Sequence, residues 1–183
     1  MKNIFKKVAI TVIAVVAMSM AQAQTFSKGD NVVGASIGFG GYYTGSWYSG
    51  SGVSRIPYIG LYYENCVKDN LFDDRSSIGV GGMLGYTSIK WSDYWKFSTT
   101  VIGARGALHY EFVDKLDTYT GLMLGYNIVS AKYYGSISAG GAASDLAFSW
   151  FLGARYYFNE KIGILGEIGY GAANINLGLC MKF

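Results

Sequence analysis

The sequence predicts an all-β fold, an eight-stranded antiparallel up-and-down transmembrane β-barrel, on three observations. Eight segments alternate apolar and polar residues with period 2, as strands with two unlike faces do. The apolar face carries no charge across its central span, while the opposite face collects the charges and most glycines. Aromatic residues gather at both ends of the apolar face. Lipid on one side and a polar lumen on the other produce this pattern.

The first element lies outside the barrel. Lys2, Lys6 and Lys7 form a positive n-region, residues 8–20 are apolar, and Ala21-Gln22-Ala23 reads as an A-x-A cleavage site. About 13 apolar residues are too few to span a bilayer as a helix. Residues 1–23 are therefore read as a signal peptide, with Gln24 first in the mature chain and residues 24–183 forming one barrel domain. Removing those three lysines from the 15 cationic side chains leaves 12 against 12 carboxylates. The net charge of +3 belongs to the leader and points to no nucleic-acid surface.

The strands follow in order. Residues 31–41 turn Val33, Ala35, Ile37 and Phe39 outward, and residues 56–64 turn out Ile59, Leu61 and Tyr63. Residues 77–87 present Ile78, Val80, Leu84 and Tyr86; residues 98–112 present Ile102, Ala104, Leu108, Tyr110 and Phe112. Residues 118–128 follow with Leu122, Leu124, Tyr126 and Ile128, then 146–158 with Phe148, Trp150, Leu152, Ala154, Tyr156 and Phe158. Residues 162–171 show Ile164, Ile168 and Tyr170. The last strand, 175–183, shows Ile175, Leu177, Leu179, Met181 and Phe183.

The inward parity holds Glu64, Arg105, His109, Glu111, Arg155, Glu167 and Lys182, with Tyr58, Tyr62, Tyr119, Asn127 and Tyr157. Glycine shares that face. An eight-stranded barrel is just wide enough inside for side chains, so large polar groups need neighbours without any. A soluble barrel would reverse the pattern, with apolar residues inside and charges outside.

With both termini in the periplasm, outward Tyr63, Tyr110, Phe112, Tyr156, Phe158 and Phe183 mark one interface. Phe39, Tyr86, Tyr126 and Tyr170 mark the other. Outer loops are expected at 42–54, 88–96 and 130–145, and short inner turns at 113–117 and 159–161. The inner turn 65–76 is longer than the pattern calls for, and the outer turn at 172–173 is very tight. Pro57 removes a ladder hydrogen bond and is expected near the outer rim.

The inward ionisable residues are the best candidate site. A hairpin through 159–161 sets Arg155 opposite Leu165, one diagonal step from Glu167. Buried charges need partners, so Glu64, Arg105, His109, Glu111, Arg155 and Glu167 read as a charge network plugging the lumen. A gated ion path is the sharper alternative, disfavoured by a filled interior. His109 is the single histidine, too little for a metal site, and sits at the inner end, away from any outer-leaflet chemistry. No catalytic residue, cofactor or metal is predicted, and the protein is not read as an enzyme. Trp47, Tyr48, Trp91, Tyr94, Trp95, Tyr133 and Tyr134 are candidate loop contacts for a protein or glycan, or extend the outer girdle. Cys66 and Cys180 fall on strands two and eight with strand one between them, which disfavours a disulfide.

The signal peptide, the eight alternating segments, the inward Arg105, Glu111, Arg155 and Glu167, and the terminal strand 175–183 together resemble the OmpA/OmpX-like eight-stranded outer-membrane β-barrels of Gram-negative bacteria. The resemblance implies recognition of Leu177, Leu179, Met181 and Phe183 by the barrel-assembly machinery. It also implies outer-membrane lipid and lipopolysaccharide as surroundings. The expected role is structural or surface-interacting, with an adhesin or ligand binder acting through aromatic loops as the alternative. Function in such folds lives in the loops.

Overall fold

A computed structural model of the chain describes residues 25–41, 53–91, 95–134 and 139–183. The expected signal peptide, Trp47, Tyr48 and Tyr94 lie outside the described residues, as does the side chain of Trp91. Each alternating segment forms a strand: β1 (Asn31–Phe39), β2 (Val53–Asp69), β3 (Ser76–Trp91), β4 (Trp95–Val113), β5 (Leu116–Tyr133), β6 (Ala139–Tyr157), β7 (Ile162–Tyr170) and β8 (Ile175–Lys182). Sequence neighbours pair antiparallel and β8 closes on β1, making a closed barrel.

The register carries the two-faced pattern around the wall. Ala35 stands between Leu61 and Leu179, and Ile37 between Ile59 and Leu177, all on the outer face. Leu124 is 66% exposed and Leu179 62%, values that make sense only beside lipid. The inner face is packed. Glu64 stands opposite Gly81, which stands opposite Arg105; Glu167 faces Gly153. A Cβ on Gly153 would collide with the Tyr119 ring, and one on Gly85 with Tyr58, so glycine makes room for these lumenal rings.

Several strands run longer than the alternation. β3 and β4 stay paired to Trp91 opposite Trp95, and β5 and β6 to Tyr133 opposite Ala139. The loops expected at 88–96 and 130–145 are therefore mostly hairpin. Beyond the hydrocarbon both faces meet water, so the alternation fades while backbone pairing continues. By contrast β1, β7 and β8 are only 8–9 residues long, so the wall is low on that side. At the other end β2 continues to Asp69 through an irregularity between Cys66 and Lys68, leaving a turn at 70–75. Ser76 Oγ closes that turn, accepting from the Phe72 and Asp73 amides.

Pro57 sits in a second register shift, between Ile56 and Ile59, above the last β1–β2 pair, Gly38 with Tyr58. Its missing N–H thus falls where the ladder is already interrupted. Cys66 and Cys180 are both buried and free. Cys180 lies opposite Gly34, whereas the Cys66 amide bonds Asp30 O, four residues lower on the chain entering β1. Four residues along one strand and two strands across exceed the reach of a disulfide.

The lumenal charge cluster

Glu64, on the inner face of β2, is the hub of the lumen. It is fully buried, and a Cβ on Gly79 of β3 would strike its carboxylate. His109 on β4 approaches Glu64 Oε1 through Nε2 at 2.7 Å and Asp117 Oδ1 through Nδ1 at 2.8 Å. Arg155 on β6 donates to Glu64 Oε2 through Nη2 and to Asp117 Oδ2 through Nη1 at 3.3 Å. Arg105, two turns of the pleat above His109, donates to Glu167 Oε1 at 2.8 Å, and its Nε lies 4.0 Å from Glu64. The Tyr119 hydroxyl also donates to Glu167 Oε1, at 2.8 Å.

Both His109 nitrogens face carboxylate oxygens, and the ring satisfies both as an imidazolium. In that form Arg105, His109 and Arg155 balance Glu64, Asp117 and Glu167. Aromatic rings take up the remaining guanidinium faces. Arg105 lies 4.2 Å from the Phe151 ring centroid and 4.7 Å from that of Tyr62, and Arg155 lies 4.4 Å from that of Tyr119. Low dielectric strengthens each contact and penalises any missing one.

Two of the expected partnerships differ. Arg155 does stand opposite Leu165, but it reaches across the lumen to Glu64 and sideways to Asp117 rather than to Glu167. Glu111 faces inward yet joins no cation of the cluster; its carboxylate accepts from the Thr25 amide at 2.6 Å and from the Thr25 hydroxyl. Asp117 falls within the expected turn at 113–117 but belongs to β5, and the inward parity it shares with Tyr119 and Asn127 is the signal that could have found it.

Residues 25–30 close the inner end. Phe26 is 2% exposed and its ring centroid lies 4.5 Å from that of His109. Lys182 Nζ donates to Thr25 O at 2.8 Å and lies 3.5 Å from Asp30. Gly29 N donates to Cys66 O. No periodic pattern marks this segment, so its packing into the barrel mouth was not legible.

The remaining candidates lie on the rim and wall. Leu177, Leu179 and Met181 face outward on β8, and Phe183 follows it, exchanging both backbone bonds with Asn31 of β1. Trp95 and Tyr133 are paired strand residues rather than loop residues, with ring centroids 4.7 Å apart, and Trp95 also stacks on Phe97. Trp91 is likewise at a strand end. Tyr134 follows β5 with the opposite parity from Tyr133. No cluster of metal-ligating side chains occurs among the described residues.

No family model and no curated protein sequence matches this chain. Solved structures do. Ail of Yersinia pestis in a phospholipid bilayer nanodisc superposes with TM-score 0.51 at 13% identity, covering 85% of this chain and 100% of that one. The crystal structure of Ail in complex with the heparin analogue sucrose octasulfate gives 0.50 at 11% identity, over 85% and 99%. The N-terminal β-barrel domain of Pseudomonas aeruginosa OprF gives 0.49 at 15%, over 85% and 98%. Identities this low speak to architecture alone. The chain has the fold of the small eight-stranded outer-membrane β-barrels.

Proposed function

We infer that this protein is an integral outer-membrane barrel of a Gram-negative bacterium with a structural or surface-interaction role and a lumen plugged by its own side chains. The observation carrying this reading is the buried cluster of Glu64, Arg105, His109, Asp117, Arg155 and Glu167, capped from below by Phe26. Paired charges packed among aromatic rings support a lumen closed to an aqueous file. The cluster reads as structural rather than catalytic, because each of its carboxylates is engaged by a guanidinium or the imidazole of the same cluster. The terminal residues Leu177, Leu179, Met181 and Phe183 would be read by the assembly machinery.

A second reading is a surface adhesin or ligand binder. It is favoured by Trp95, Phe97 and Tyr133, packed together on hairpins that rise above the low β7–β8–β1 wall. Ail, of like fold, has been crystallised with a polysulfated sugar. A host protein or glycan would engage these aromatic hairpins.

Planar-bilayer recording tests the plug. The purified, folded barrel should show no stepwise conductance, and regular openings would overturn the structural reading in favour of a channel. Binding of labelled glycans to cells displaying the protein, with and without Trp95→Ala/Tyr133→Ala, separates the adhesin reading from the structural one.

A further inference from the structure

Above the charge cluster the lumen holds a cavity of about 360 Å³. Val101, Met123 and Ala147, inward residues of β4, β5 and β6, form its apolar wall, and the tight β7–β8 turn borders it at Gly171 and Ala172. The row that pairs Gly103, Gly125 and Ala147 offers the lumen a single methyl group, which leaves the space open. Beneath lies a recess of about 30 Å³ that shares Ser149, Tyr170 and Ala172 with the cavity and reaches down to Arg105 and Glu167. The low wall supplies an entrance. Pairing of β6 with β7 ends at Trp150 and Tyr170, yet β6 runs on to Ala139. Leu146 and Phe148, on that unflanked stretch, rim the opening.

Polar atoms around this space lack what the charge cluster has. Asn127 lines the cavity and is 5% exposed, and its Oδ1 has no hydrogen-bond partner among the described residues. The buried Tyr58 hydroxyl and Asn176 Oδ1, which border the recess, have none either. A buried polar atom without a partner is costly and calls for one. Arg105 and Glu167 at the bottom are committed to each other at 2.8 Å, so a charged guest would find no counter-ion there.

We propose that this cavity binds a small uncharged molecule of one or two rings, which packs on Val101, Met123 and Ala147 and donates an O–H or N–H hydrogen bond to Asn127 Oδ1. Small-molecule sites run from about 300 to 1,000 Å³ and are mostly apolar with a few placed polar groups, and this one lies at the lower end of that range. Asn127 Oδ1 is an acceptor, so the guest must bring the donor. A rigid ring is favoured over a flexible chain because it loses less freedom on entering. The Arg105–Glu167 pair closes the bottom, which makes this a binding site and not a passage. It stands on the barrel fold and is separate from the aromatic hairpins above it.

The test titrates 2-naphthol and naphthalene, the same ring pair with and without the donor, into the full barrel in phospholipid nanodiscs. Methionine-methyl NMR reads the result. Met123 is 1% exposed on the cavity wall, whereas Met181 faces outward on β8 and senses probe that has merely dissolved in lipid. With 2-naphthol the Met123 signal should shift to saturation, at free concentrations about tenfold below those naphthalene needs, the margin of one buried neutral hydrogen bond. Met181 should drift in proportion to either probe. Asn127→Leu should erase the preference, and Ala147→Phe, which fills the cavity, should abolish saturation. Heat-modifiable gel migration checks that each variant folds, and Ala147→Leu stands in if Ala147→Phe does not. A Met123 signal that only tracks Met181 overturns the proposal. So does saturation that survives filling the cavity, equal affinity of wild type for the two probes, or an Asn127→Leu variant that keeps the preference.

Discussion

Glu64 is the side chain whose loss should be felt most. Glu64→Ala removes the Arg155 Nη2 contact and the 2.7 Å His109 contact at once, and takes a carboxylate from beside Arg105. Arg155, fully buried, is left with Asp117 at 3.3 Å, and Asp117 must then serve both Arg155 and His109. Breaking a buried pair by removing one member typically costs about 3–5 kcal/mol. Reversible urea unfolding in bilayers, followed by tryptophan fluorescence, should show a loss in that range. The comparison is Glu64→Leu/Arg155→Met, which removes a carboxylate and a guanidinium together and leaves His109 with Asp117. Replacing both partners by apolar groups of like size is often neutral. The double variant should therefore be more stable than Glu64→Ala despite carrying one more change. The reasoning is refuted if Glu64→Ala costs no more than Glu160→Ala in the exposed β6–β7 turn, or if the double variant is the less stable of the two.

Other outcomes follow from the same geometry. Leu124→Arg sets a cation on the outward face between Ala104 and Phe148 and should cost about 2–4 kcal/mol, whereas Thr118→Arg, near the inner rim of β5, should cost clearly less. Equal costs in the same unfolding assay would contradict the assigned depths. Deleting Phe183 removes both backbone bonds to Asn31 and should lower the folded fraction recovered from outer membranes, read by heat-modifiable migration. Cys66 and Cys180 should resist maleimide in the folded protein and label fully in urea. Reduction should leave gel migration unchanged, and Cys180→Ser should fold to nearly the normal yield.

The strands were legible because lipid and lumen impose opposite demands on alternate residues. Where that contrast ends, so did the signal. Residues 139–145 are nearly all small and 130–133 are mixed, since water bathes both faces of the hairpins there; only pairing of the backbones reveals a strand. The inward set was readable from parity, yet the partnerships were not. Arg155 meets Glu64 across the lumen, four strands away in either direction around the wall, a relation fixed by closure and invisible in any one segment. Asp117 is masked by its surroundings, because a polar residue beside Asp114 and Lys115 looks like a turn. Lys115, with φ of 63°, does make that turn, and Asp117 already belongs to the strand. Thr25 and Phe26 lacked any periodicity to mark them.

The short segment that closes the inner mouth has a consequence for how the barrel comes apart. Each strand pairs with its neighbour in the chain except at one seam, where Val32 meets Lys182, 150 positions later. Bringing such distant residues together carries the largest loop-closure entropy of any pairing in the barrel, so the seam is expected to form last. Thr25 and Asp30, just before β1, are gripped by Lys182, near the end of β8. Those contacts exist only after closure and act as a stitch across it. Interactions absent from the transition state slow unfolding and leave the folding rate nearly untouched. Lys182→Gln should therefore shorten the lifetime of the folded barrel while it refolds at close to its usual speed, a selectivity that a merely general weakening of the wall would not produce.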